Sequence, residues 1–212
     1  MTGAVTGPVT PGAPAPRPYW QRCLIVMVTI TAGLFLIEAV DAAGGYRLDQ
    51  HGIVSRSADG LTGILWAPFL HADFAHLIAN VIPGAVLGFL LLMARRFLVV
   101  TAVVWVVSGL GVWLIGPANA VTVGASGIVF GWLSYLLVRG LFNRMFGQVL
   151  LGLVLLVVYG SVLWGVLPQQ GPVSWQGHLF GAAGGVLAAW MLAGRDSRAA
   201  RGRAVSPSPQ RL

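Results

Sequence analysis

Four polar side chains at the edges of apolar stretches give this sequence its capacity for chemistry. Ser126 stands in Val123-Gly124-Ala125-Ser126-Gly127, a small hydroxyl flanked by glycines at the mouth of a hydrophobic run. Further along, His178 opens a second hydrophobic run directly after Gly177. A hydroxyl becomes a working nucleophile when a neighbouring imidazole takes its proton. Ser126 and His178 therefore form a nucleophile–base pair wherever the fold lets them meet. His76 and Asn80 lie four residues apart and share one helix face. Taken singly, each has a plainer explanation. Gly-x-Ser-Gly packs membrane helices, and a histidine at a helix end is commonly an interfacial hydrogen-bonder. The catalytic reading rests on the combination.

The elements that carry these residues are membrane helices. The chain has 212 residues, of which 57% are hydrophobic and 9% charged. Soluble domains carry about a quarter charged residues, so too few remain here to cover a water-facing surface. The net charge of +7 does not point to nucleic acid, because the arginines cluster between and outside apolar runs. The lone Cys23 leaves neither a disulfide framework nor a cysteine metal site. Residues 1–18 and 195–212, rich in Pro with Gly or Arg, read as disordered tails around one membrane domain at 19–194. The first tail lacks the basic start of a signal peptide. Six apolar segments, each near the ~20 residues that cross a bilayer, are expected at Trp20–Val40, Phe74–Met93, Phe97–Gly116, Thr122–Val138, Gln148–Leu167 and Gln176–Ala193. With six crossings, Arg17, Arg22, Arg95, Arg96, Arg139, Arg144 and the arginines after residue 194 fall on one side. Only Arg47 and Arg56 fall on the other, in the long first loop Asp41–Asp73. The positive-inside rule then makes both termini cytoplasmic.

This topology sets the polar residues at one level. Spans two, four and six all enter from the outer side, and His76, Asn80, Ser126 and His178 lie a few residues below that surface, at ~1.5 Å of depth per residue. Glycines at 127 and 131, and at 177, 181 and 185, form ridges of four-residue steps that let helix backbones approach closely in lipid. Such an approach is what a short serine needs to reach a histidine on another helix. No carboxylate lies at this level, since Asp73 precedes span two on its outer rim, so a Ser–His dyad is expected. His71 reads as a structural residue tying the first loop to span two. Pro83, three residues after Asn80, is expected to bend span two near the site.

These residues stand in three motifs that together resemble the rhomboid family of intramembrane serine proteases. The first is His71-Ala-Asp-Phe-Ala-His76-Leu-Ile-Ala-Asn80, the second Gly124-Ala125-Ser126-Gly127, and the third Gly177-His178-Leu-Phe-Gly181-Ala-Ala-Gly-Gly185. The resemblance covers about Trp20 to Ala193. It implies a six-helix rhomboid-like bundle, all-α, in a bacterial cytoplasmic membrane. It implies Ser126 as nucleophile and His178 as general base and later acid. His76 and Asn80 would donate hydrogen bonds to the oxyanion with the Ser126 backbone N–H, and Gly124 would leave room for it. His71 matches a structural histidine of the first loop, Phe130 the aromatic that stacks on the catalytic histidine, and Gly127 and Gly181 are packing positions. The implied partners are the bilayer and membrane proteins whose spanning helix is weakened near the cut. They would enter sideways past spans two and five and the loop Pro168–Trp175. No metal or organic cofactor is implied.

The sequence departs from the family in two places. Thr62-Gly63 stands where a Trp-Arg pair is frequent, and Leu92 where span two often has a Glu. A structural tie of the first loop is therefore missing. Two other readings compete. A non-catalytic relative that binds membrane helices is disfavoured by the presence of both Ser126 and His178. A small transporter is disfavoured because the polar residues stop in the outer half of the spans.

Overall fold

The computed structural model describes residues 17–169, 171 and 173–194. The tails expected at 1–18 and 195–212 lie outside these residues apart from Arg17 and Pro18, as do parts of the loop expected at 168–175. Six helices coincide with the six apolar runs: α1 Tyr19–Ala43, α3 Phe74–Met93, α4 Phe97–Ile115, α5 Ser126–Asn143, α6 Phe146–Tyr159 and α7 Trp175–Met191. α6 is prolonged by a 3-10 turn, Gly160–Val166, and a short α2, Gly60–Trp66, lies inside the first loop. Four of these units, namely α1, α3, α4 and α6 with its 3-10 turn, are long and apolar enough to cross a membrane. α5 and α7 fall outside that group, and α5 occupies the middle while α7 leaves Leu179, Val186 and Trp190 exposed. Every residue of α5 from Gly127 to Leu136 is buried.

The helix directions follow from their contacts. Tyr19 at the start of α1 donates its hydroxyl to the Leu92 carbonyl at the end of α3 (2.7 Å), and Phe35 stacks on Phe74 at the other end. α1 and α3 are thus antiparallel. A methyl on Gly84 or Gly88 would meet Val129 or Trp132, so α3 runs parallel to α5. α5 and α7 are parallel and almost without side chains between them. A methyl on Gly131 would lie 2.8 Å from the Gly181 carbonyl, and methyls on Gly181 and Gly185 would run into the carbonyls of Gly127 and Gly131. Backbone rests on backbone along this seam, which only glycine allows. Three parallel helices therefore present their N-terminal ends at one end of the bundle, and His76, Ser126 and His178 sit on those ends.

The fourth apolar run becomes helical at Ser126, not Thr122. Val121–Thr122 forms strand β2 and pairs antiparallel with β1, Ile53–Val54, in the register Ile53↔Thr122. Gly124 then takes φ +114, a conformation that favours glycine and stops the helix from starting earlier. α3 begins where Asp73 caps it, its carboxylate accepting from the His76 N–H at 2.7 Å. It stays helical through Pro83.

The first loop is fastened without the missing Trp-Arg pair. Ser55 donates to the Val112 carbonyl at 2.8 Å, and Arg56 to the carbonyls of Leu114 and Gly116 at 3.2 and 2.9 Å. Trp113 and Trp105 of α4 donate their indole N–H groups to Ser57 and Ile64 at 2.8 and 2.6 Å. Gly63 itself presses on the Gly52 carbonyl and Ile53, leaving no room for a side chain at one of the departing positions.

Candidate active site

Ser126 is the first residue of α5 and is partly exposed. The chain leading to it is held by the first loop, since the Gly124 N–H donates to the Ala67 carbonyl at 2.8 Å. The Ala125 N–H faces His71 Nε2 at 3.4 Å. His71 is fully buried, and burial, with His76 beside it, holds its imidazole down at about 4, so the ring is neutral and able to accept. Among the described residues its Nδ1 meets no partner with good hydrogen-bond geometry, although the Phe69 backbone lies close to the ring. The His71 and His76 rings meet edge to face, with centroids 5.2 Å apart. His76 packs directly on Gly124, where a methyl would lie 2.7 Å from Cε1 and 2.8 Å from Nε2. A positive φ and an adjoining ring both demand glycine at this position.

Asn80 is buried one turn below His76, and its Nδ2 donates to the His76 carbonyl at 2.8 Å. The Asn80 amide is thus engaged within its own helix.

His178 lies in the first turn of α7, which Ser174 caps by accepting from the Gly177 N–H at 3.3 Å. The imidazole is buried and stacks on Phe130, with centroids 3.9 Å apart and planes 7° from parallel. Its Nδ1 lies 3.0 Å from the Gly165 carbonyl oxygen. A carbonyl can only accept, so Nδ1 carries the proton and a neutral ring keeps a free lone pair on Nε2. Phe130 is four residues after Ser126, which puts the serine one turn above it on the same face of α5. A methyl on Gly127, next to Ser126, would lie 3.0 Å from the Gly177 carbonyl, next to His178. No hydrogen bond joins Ser126 to His178 among the described residues. In enzymes without substrate this bond is commonly long or absent.

A family model, Rhomboid domain, matches residues 58–195. The chain belongs to the rhomboid family. It is 47% identical over 193 residues to the uncharacterized protein Rv1337 of Mycobacterium tuberculosis, covering 86% of this chain and 80% of that one. It is 44% identical over 189 residues to the uncharacterized protein ML1171 of Mycobacterium leprae, covering 84% and 75%. A protein of Bacillus subtilis named "Putative rhomboid protease YdcA" is 30% identical over 133 residues, covering 61% and 66%. No solved structure matches significantly.

On the α4 side of Ser126 this rhomboid has a small cavity of about 30 Å³, lined by Ser126, Ser108 and Ser174 but mostly by apolar residues such as Ile53, Ile64 and Val112, with neither His178 nor His76 in its wall. A water needs roughly 10–15 Å³, so the space admits about two. Ser108 of α4 donates to the Gly177 carbonyl at 2.9 Å and also touches Gly127, tying α4 to the α5–α7 seam at the site. Sequence reasoning missed four groups here. The Asp73 and Ser174 caps were readable as Asp or Ser just before an apolar run. Ser108 lies in an apolar run with no neighbouring signal. The Gly165 carbonyl has no side chain to announce it.

Proposed function

We propose that this rhomboid is an intramembrane serine endopeptidase that hydrolyses peptide bonds in or near transmembrane segments of other proteins. Ser126 Oγ attacks the substrate carbonyl while His178 Nε2 takes its proton. The resulting oxyanion receives hydrogen bonds from the Ser126 backbone N–H, from His76, and from Asn80 once its amide leaves the His76 carbonyl. His178 returns the proton to the leaving amine, and a water activated by the same nitrogen hydrolyses the acyl-enzyme. The supporting observation is the stacking of His178 on Phe130 one turn from Ser126, with Nδ1 engaged and Nε2 free.

The rest of the reading follows from this site. The substrate is a membrane-protein helix that unwinds readily, because a helical carbonyl is tied up in its own hydrogen bonds. It enters between α3 and the α6 unit. The bundle crosses the bacterial cytoplasmic membrane six times, α5 and α7 included, with both termini cytoplasmic. Central helices that touch other helices rather than lipid need less apolar surface of their own, which suits the composition of α5.

Purified protein offered a model single-span substrate should cleave it, and Ser126→Ala and His178→Ala should each abolish cleavage. Wild-type rates in Ser126→Ala, or inhibition by chelators instead, would refute the dyad. Labelling of Ser126 by a fluorophosphonate gives a second measure.

A further inference from the structure

We infer that the backbone carbonyl of Gly165 is the positioning group for His178, standing where a carboxylate stands in a three-member hydrolase site. This rests on the reading of His178 as the base. The described acidic residues Glu38, Asp41, Asp49, Asp59 and Asp73 make no hydrogen bond to His178, whereas the Gly165 oxygen lies 3.0 Å from its Nδ1. That oxygen is available because the 3-10 turn Gly160–Val166 ends there, and the last carbonyls of a helix have no partner within it. The fit is tight on both sides. A methyl on Gly165 would lie 2.9 Å from Phe130 Cζ and 3.0 Å from His178 Nδ1. Only glycine lets this turn come near enough to bond the ring while Phe130 holds its plane.

The consequence is chemical. A neutral imidazole has two tautomers, and only the one protonated at Nδ1 leaves Nε2 free to take a proton from Ser126. The Gly165 carbonyl selects that tautomer without a charge. It also places the selection in the α6 unit, whose Trp164 is 72% exposed beside it. A displacement of the 3-10 turn would release the ring, so the base is competent only while this turn is seated.

The test reads the tautomer directly. Nitrogen NMR of 15N-histidine-labelled protein in detergent, with His178 assigned by comparison with His178→Ala, should show wild-type His178 protonated at Nδ1. The same spectrum is expected in Ser126→Ala, so the result does not depend on turnover. Gly165→Ala should move His178 toward the Nε2-protonated form. Its kcat should fall by about 10–10² with KM little changed. Where a carboxylate holds the histidine, the wrong tautomer costs about 10⁴, and a neutral acceptor holds it less strongly. Gly160→Ala, in the same turn but away from the ring, should leave tautomer and kcat near wild type. An Nε2-protonated His178 in the wild type overturns the inference, as does Gly165→Ala with unchanged kcat. The wild-type spectrum carries the test alone if Gly165→Ala melts below the assay temperature. If instead Ser126→Ala still cleaves, the dyad reading fails while the tautomer assignment stands.

Discussion

Gly124 shows how much a single residue without a side chain can settle. Its φ of +114 and the His76 ring against it mean that alanine there would strain the backbone and push the imidazole aside. Backbone strain of this kind costs about 1–3 kcal/mol. Displacing a group by about 1 Å near the reacting atoms commonly costs 10²-fold in rate. Gly124→Ala should therefore lower kcat on a model substrate by about 10–10², with a smaller loss of thermal stability. A variant with wild-type kcat would remove His76 and Gly124 from the proposed oxyanion site. Gly124, Ser126, His178, His76 and Asn80 were all legible in the sequence as candidates, because each stands in a short motif of polar and glycine residues beside an apolar run. The Gly165 carbonyl was not, since backbone groups leave no trace in residue type and the contact spans thirteen positions.

At the scale of elements, the first loop is what carries the chain to Ser126, the proposed nucleophile. Its β1 strand pairs with β2 just before Gly124, the Ala67 carbonyl accepts the Gly124 N–H, and His71 faces the Ala125 N–H. None of these pairings has a sequence signature, and the family's usual Trp-Arg tie is absent, so the fastening through Ser55, Arg56, Trp105 and Trp113 emerged only from the fold. The loop also has a pH dependence. His71 is held down at about 4 in the fold against 6.5 when free. The unfolded form binds the extra proton first, so stability is full above pH 6.5 and is lost as pH falls toward 4. The difference is on the order of 3 kcal/mol. Asp49 acts the other way. Burial and the nearby Asp41 raise it to about 6, so its contribution grows as pH falls from 6 toward 3.8, screened by solvent. Melting between pH 7 and 4.5 should show a falling midpoint. His71→Gln should flatten that fall and Asp49→Asn should steepen it. A midpoint unchanged across this range in the wild type would contradict the neutral, buried His71.

For the whole molecule, composition identified a helical membrane protein and the apolar runs located its long helices to within a few residues. The burial of α5 on all sides was not legible, because an apolar residue facing lipid and one facing another helix look alike in sequence. The rhomboid bundle is built round that helix, and its closest seam is the glycine-to-glycine contact of α5 with α7. Added volume in a packed interior costs about 1–3 kcal/mol, and here the obstacle is backbone, which cannot rotate away. A saturation library scored for cleavage should consequently find Gly181 and Gly185 as intolerant as Ser126 and His178. Scored for protein abundance, the same library should part them: Ser126→Ala accumulates at the wild-type level and Gly181→Ala does not. Intolerance in an activity screen is therefore no guide to which residues touch the substrate of this protein; the difference between the two scores is.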